Sequence, residues 1–145
     1  MSKGEQERRT GTQGMIDKLL VERQEVLVLF CRVAGLEPYS RTESLDNLLQ
    51  SFCQVLVDYT AFGHFEVFGH ISDGKERRSS VLKVAEEIYP DFVEASEAAV
   101  NFNDKYDLSD HALNFNYLAE DLSKLGEELA GRIELEDRLL ATMLN

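Results

Sequence analysis

The chain has 145 residues, 43% apolar and 29% charged, which is enough to bury one core and excludes a disordered or membrane class. It has no run of the roughly 18 apolar residues a spanning helix needs, and no apolar signal core in residues 1–14, so a cytoplasmic protein off the membrane is expected. The net charge of -12 is lopsided, with 15 acids against 4 bases over residues 84–145 and 12 against 11 before them; the acidic half repels nucleic acid and either suits a basic partner or is an ordinary solvated helix face.

Residues 1–14 mix Gly, Thr, Gln and charges without apolar periodicity and predict a flexible arm ahead of a single domain over 15–145. A first helix is expected from about Met15 to Ala34. Ile16, Leu19, Leu20, Val26, Leu27, Phe30 and Cys31 follow helical spacing, Arg23 interrupts the stripe, and Gly35 with Pro38 marks the end. Ser40 and Glu43 have the form of a capping box ahead of Leu45, Leu48, Leu49, Phe52, Val55, Leu56 and Tyr59. Gly63 is placed to kink this second helix, Phe65, Phe68 and Ile71 continue at helical spacing, and Ser72, Asp73 and Gly74 supply a turn. A third helix, from near Lys75, carries Val81, Leu82, Ala85 and Ile88 up to Pro90, which should bend it before Phe92, Val93, Ala99, Val100 and Phe102. After a turn over 107–110, a last helix runs from about His111 to Leu144, with Gly126 and Gly131 inside it. With no period-two alternation anywhere, these stretches predict an all-α antiparallel four-helix bundle with kinked second and third helices.

Two charges break the last stripe. Leu118, Leu122, Leu125, Leu129, Arg132, Glu136, Leu139 and Met143 advance by alternating steps of four and three, and only Arg132 and Glu136 are not apolar. An unpaired charge in a bundle core costs several kcal/mol. Either these two join a polar cluster inside the bundle, with Asp58, Tyr59 and His64 of the second helix as candidate partners and Asp137 beside them, or they form an ordinary surface pair.

Metal, nucleotide and hydrolase chemistry find no support. Glu66 and His70, like Asp107 and His111, are four apart and do not make the Glu-x-x-His pairs of di-iron bundles, and no P-loop, GxSxG, HExxH or Rossmann pattern occurs. Cys31 and Cys53 sit in apolar helical stretches without metal or redox spacing and read as reduced core thiols. Histidine phosphotransfer is the alternative function for a helical bundle, but His64, His70 and His111 are not followed by the lysine such modules use. No enzyme activity, cofactor or metal is therefore expected.

Phe52-Cys53-Gln54, Leu56-Val57-Asp58-Tyr59 and Gly63-His64-Phe65 resemble the central signature of the Rsd/AlgQ family of sigma-factor regulators. Leu125-Gly126, Leu129 and the run from Arg132 through Glu134, Glu136 and Asp137 to Leu139 resemble its C-terminal signature, and Asp17, Arg23 and Gly35 with Pro38 its first helix. The likeness covers residues 16–144 and departs at Leu19, where the family pattern has a tryptophan. It implies a transcription regulator that binds the primary sigma factor of RNA polymerase, chiefly through sigma's C-terminal promoter-reading domain, and so favours alternative sigma factors in stationary phase. It also implies Asp17, Arg23, Asp58, Tyr59, His64, Phe65, Arg132, Glu136 and Asp137 as the signature residues. Some members are further linked to the sugar phosphotransfer carrier protein.

Overall fold

The computed structural model of the chain describes residues 3–36, 43–74, 76–107 and 114–144, with residues 3–10 as backbone only. Helix α1 spans Lys3–Ala34, α2 Leu45–Phe62, α3 Gly69–Ser72, α4 Ser79–Tyr106 and α5 Leu118–Leu144; a π-helical segment, Gly63–Phe68, joins α2 to α3. Among the described residues there is no strand.

The long helices run alternately up and down, as their contacts demonstrate. Lys18 lies over the Phe62 ring while Phe30 meets Phe52, so α1 and α2 are antiparallel. Phe52 meets Phe102 while Phe68 meets Phe92, which sets α4 antiparallel to the α2 rod. Tyr106 bonds Asp121 at one end of the α4/α5 pair and Arg138 pairs with Glu87 at the other. Arg23 reaches Asp137, and the Phe30 ring lies at Gly126, which closes α5 onto α1. The core is the apolar stripe of each helix turned inward, including Ile16, Leu19, Leu49, Phe52, Leu56, Val81, Ile88 and Phe92. Each such side chain contributes roughly 1.5–3 kcal/mol on burial.

Several boundaries differ from the sequence reading. Helix α1 begins at Lys3, inside the segment read as an arm. Residues 5–9 (Glu, Gln, Glu, Arg, Arg) are good helix formers without an apolar stripe, so periodicity gave no signal there. The cap of α2 is Ser44, whose Oγ accepts from the Asn47 amide at 3.3 Å; Glu43 precedes it as an exposed bend, and Ser40 lies outside the described residues. Gly74, at φ +76°, makes the expected turn, but α4 starts only at Ser79, after Glu76 has accepted from the backbone and side chain of Arg78. Helix α4 continues unbroken through Pro90. Helix α5 starts at Leu118, after the Asn114 side chain has accepted from the Asn116 amide in a turn; residues 108–113, which hold most of the turn read over 107–110 and His111, lie outside the described residues.

Candidate functional site

The two charges that interrupt the α5 stripe are in the core. All eight positions of that stripe are buried, Arg132 at 1% exposure and Glu136 at 3%. Spacing of four places both on one face of α5, where Arg132 Nε donates to Glu136 Oε2 at 3.0 Å. The second carboxylate oxygen, Oε1, accepts from the Tyr59 hydroxyl at 2.5 Å. Arg132 Nη1 donates to Ser96 Oγ at 3.1 Å, and Nη2 to the Thr60 carbonyl at 3.4 Å. Ser96 in turn donates to the Phe92 carbonyl at 3.0 Å, so its single proton and an acceptor lone pair are both used.

The guanidinium is also stacked. Its carbon lies 4.1 Å from the Phe92 ring centroid and 4.8 Å from that of Tyr59, an arrangement in which aromatic faces stabilise a desolvated cation. Burial first, then the Glu136 charge, pushes the Tyr59 hydroxyl well above its ordinary value and keeps it a donor. Arg23, from α1, carries the network to the surface: its Nη1 is 2.8 Å from Asp137 Oδ1 and 3.6 Å from Glu136 Oε1.

Of the sequence-selected residues, Arg23, Tyr59, Arg132, Glu136 and Asp137 are thus brought together. Asp58, although next to Tyr59, points outward and accepts from Gln54 on its own helix. Asp17 is likewise exposed and accepts from Gln13 at 2.9 Å. His64 does not join the cluster. Its ring packs edge-on against Phe65 at 5.0 Å and tilts over Tyr89 at 6.3 Å. Phe65 is 71% exposed, whereas Val67 and Phe68 are buried, so the stripe expected through Phe65, Phe68 and Ile71 is split. The π-helical turn, wider than an α turn, shifts the phase of these side chains. Ser96, Phe92 and the Thr60 carbonyl were missed, since a small hydroxyl, a core ring and a backbone oxygen leave no mark in a periodicity pattern.

Two grooves flank this arrangement. One of about 680 Å³ is lined by His64, Phe65, Phe68, Leu82, Glu86 and Tyr89, among others. The other, of about 350 Å³ between α2 and α4, includes Val57, Thr60, His64, Phe65, Ser96 and Val100. Among the described residues no three His, Cys, Asp or Glu side chains gather so as to hold a metal ion, and no helix is long and apolar enough to cross a membrane. Cys53 is buried, which pushes its thiol up to about 12.

The family model described as "Regulator of RNA polymerase sigma(70) subunit, Rsd/AlgQ" matches residues 2–144. The chain belongs to the Rsd/AlgQ family. Among curated Rsd/AlgQ relatives, the Regulator of sigma D of Yersinia enterocolitica serotype O:8 / biotype 1B is 32% identical over 90% of this chain and 80% of its own length. That of Enterobacter sp. (strain 638) is 33% identical over 96% of this chain and 86% of its own. No solved structure matches the chain.

Proposed function

We propose that this Rsd/AlgQ chain is a cytoplasmic anti-sigma regulator that acts by binding rather than by catalysis. It engages the primary sigma factor of RNA polymerase, chiefly the C-terminal promoter-reading domain, and lowers its availability so that alternative sigma factors gain polymerase in stationary phase. The observation that carries this reading is the family match over residues 2–144, joined by relatives named as regulators of sigma D.

The geometry supports a division of labour within the signature. Tyr59, Arg132 and Glu136 are buried and hold the bundle together, whereas Asp17, Asp58 and Phe65 face outward and are available to a partner. Beside Asp58 on the neighbouring helix, the Glu22 carboxyl is held above its ordinary value, first by burial and then by the charges of Asp58 and Glu25, against the pull of Lys18. A promoter-reading domain presents lysines and arginines toward DNA phosphates, and such cations relieve this crowding of carboxylates while Phe65 supplies an apolar anchor.

Titration calorimetry with intact primary sigma and with its isolated C-terminal domain tests the proposal. Comparable affinities are expected for the two. Folded protein that takes up neither at low salt would overturn it, and binding to intact sigma alone would remove the C-terminal domain as the main contact.

A further inference from the structure

The only π-helical segment among the described residues begins at the point where the buried guanidinium touches α2. In a π-helix the backbone bonds run from i to i+5 instead of i to i+4, so the junction with α2 is where the pairing of backbone carbonyls changes over. Thr60 is in the last α-helical turn, and its carbonyl accepts at a long distance from Arg132 Nη2 while sharing the Gly63 amide with the Tyr59 carbonyl. Gly63 has ordinary helical angles, φ -60° and ψ -42°, so its backbone needs no glycine. Space is what it provides: a Cβ there would overlap Arg132 Nη2 and lie 3.2 Å from Phe92 Cζ.

The π register decides which rings face inward. In a continuous α-helix Phe68 would stand roughly 140° around the axis from the buried Gly63, largely turned out of the core. In the structure Phe68 is buried, 4.6 Å from the Phe92 ring and 5.3 Å from that of Tyr89, and it forms part of the wall of the 680 Å³ groove beside exposed Phe65.

We infer that Arg132 is a positioning residue for the partner-binding surface: its guanidinium, seated in the space left by Gly63 and bonded to the Thr60 carbonyl, fixes the π-helical register of Gly63–Phe68. That register keeps Phe68 inside and leaves the groove open next to Phe65. The groove's role in affinity rests on the sigma-binding reading; the control of register does not.

The test uses the full chain with Gly63→Ala, which displaces the guanidinium while keeping every polar group, and with Arg132→Met/Glu136→Gln, which removes the donor without stranding a buried carboxylate. Circular dichroism establishes folding, and NMR reads the contact between the Phe68 and Phe92 rings. The expected result is loss of that ring contact in folded variants, together with affinity for sigma lowered by about tenfold, within the range of an interface hot spot. If the double variant does not fold, Gly63→Ala decides alone. Folded variants that keep the Phe68–Phe92 contact would overturn the inference. Wild-type protein that fails to bind sigma, with the ring contact still lost in the variants, would fault the sigma reading and support the control of register.

Discussion

The Tyr59 hydroxyl and the Glu136 carboxylate meet at 2.5 Å from positions 77 residues apart in sequence, and this bond ties α2 to α5 through the centre of the bundle. Removing one buried partner costs more than removing both, because a stranded charge keeps its desolvation penalty. Glu136→Ala, which strands Arg132, is expected to destabilise by about 3–5 kcal/mol, and Tyr59→Phe by about 1–3 kcal/mol. Replacing the pair with Arg132→Met/Glu136→Leu should cost far less than Glu136→Ala. Urea unfolding monitored by circular dichroism measures all three; a double variant as unstable as Glu136→Ala would show that more than the pair's charge balance is at stake.

Alkaline pH should destabilise the chain through Tyr59 and two further buried groups, Tyr106 and Cys53. Burial raises Tyr59 and Tyr106 above 10.0 and Cys53 from 9.0 to about 12. A raised folded value means that stability is complete below the unfolded value and drains away as pH rises beyond it. Unfolding midpoints in urea should therefore fall as pH passes 9.0 and then 10.0, and Tyr59→Phe should flatten the second part of that decline. On the acid side, burial of Asp121 is outweighed by hydrogen bonds from Lys105 and Tyr106, and that of Glu76 by bonds from Arg78, so both carboxyls are lowered. Their stabilisation is present above 4.5 and 3.8 and is lost as pH falls below those values.

Phe65→Ala separates surface from scaffold. With Phe65 71% exposed, the substitution should change stability by no more than about 0.5 kcal/mol, as surface changes do. Sigma should nevertheless dissociate faster, because truncating an apolar anchor acts mainly on the off-rate. Surface plasmon resonance gives both rates; an unchanged off-rate would remove Phe65 from the interface.

How far these features could be read from sequence varied with the physics behind each. Bundle class followed from four amphipathic stretches; two charges on a strictly spaced stripe marked Arg132 and Glu136 as either a buried cluster or a surface pair, and their burial at 1% and 3% exposure decides for the cluster. Tyr59 was legible as the polar end of an apolar helix. His64, five residues past Tyr59, stands roughly 140° around the helix from it and so does not share its inward face; the split of Phe65 from Phe68 was not legible, because no residue pattern announces a change of helical type. The cap of α2 was misplaced because Ser40 with Glu43 has the side-chain pattern of a capping box, whereas Ser44 caps by accepting from the Asn47 backbone amide, which calls for no particular side chain at 47. The start of α1 carried no signal, since its polar sequence has no apolar periodicity to mark it.

Sigma binding measured as a function of salt is the most direct test of the proposed function. Over residues 84–145 the chain holds 15 acids and 4 bases, and exposed Asp58 adds to the acidic surface on α2. Exposed charge pairs weaken as the Debye length shortens, to about 8 Å at physiological ionic strength. Charge reversal at Asp58 should slow association, the step that complementary fields accelerate. The expected result is affinity for primary sigma that falls steadily with added salt and levels off at a residual that Phe65→Ala lowers further. No association of folded protein with folded primary sigma at low salt would contradict the anti-sigma assignment, and an affinity indifferent to salt would contradict its electrostatic basis.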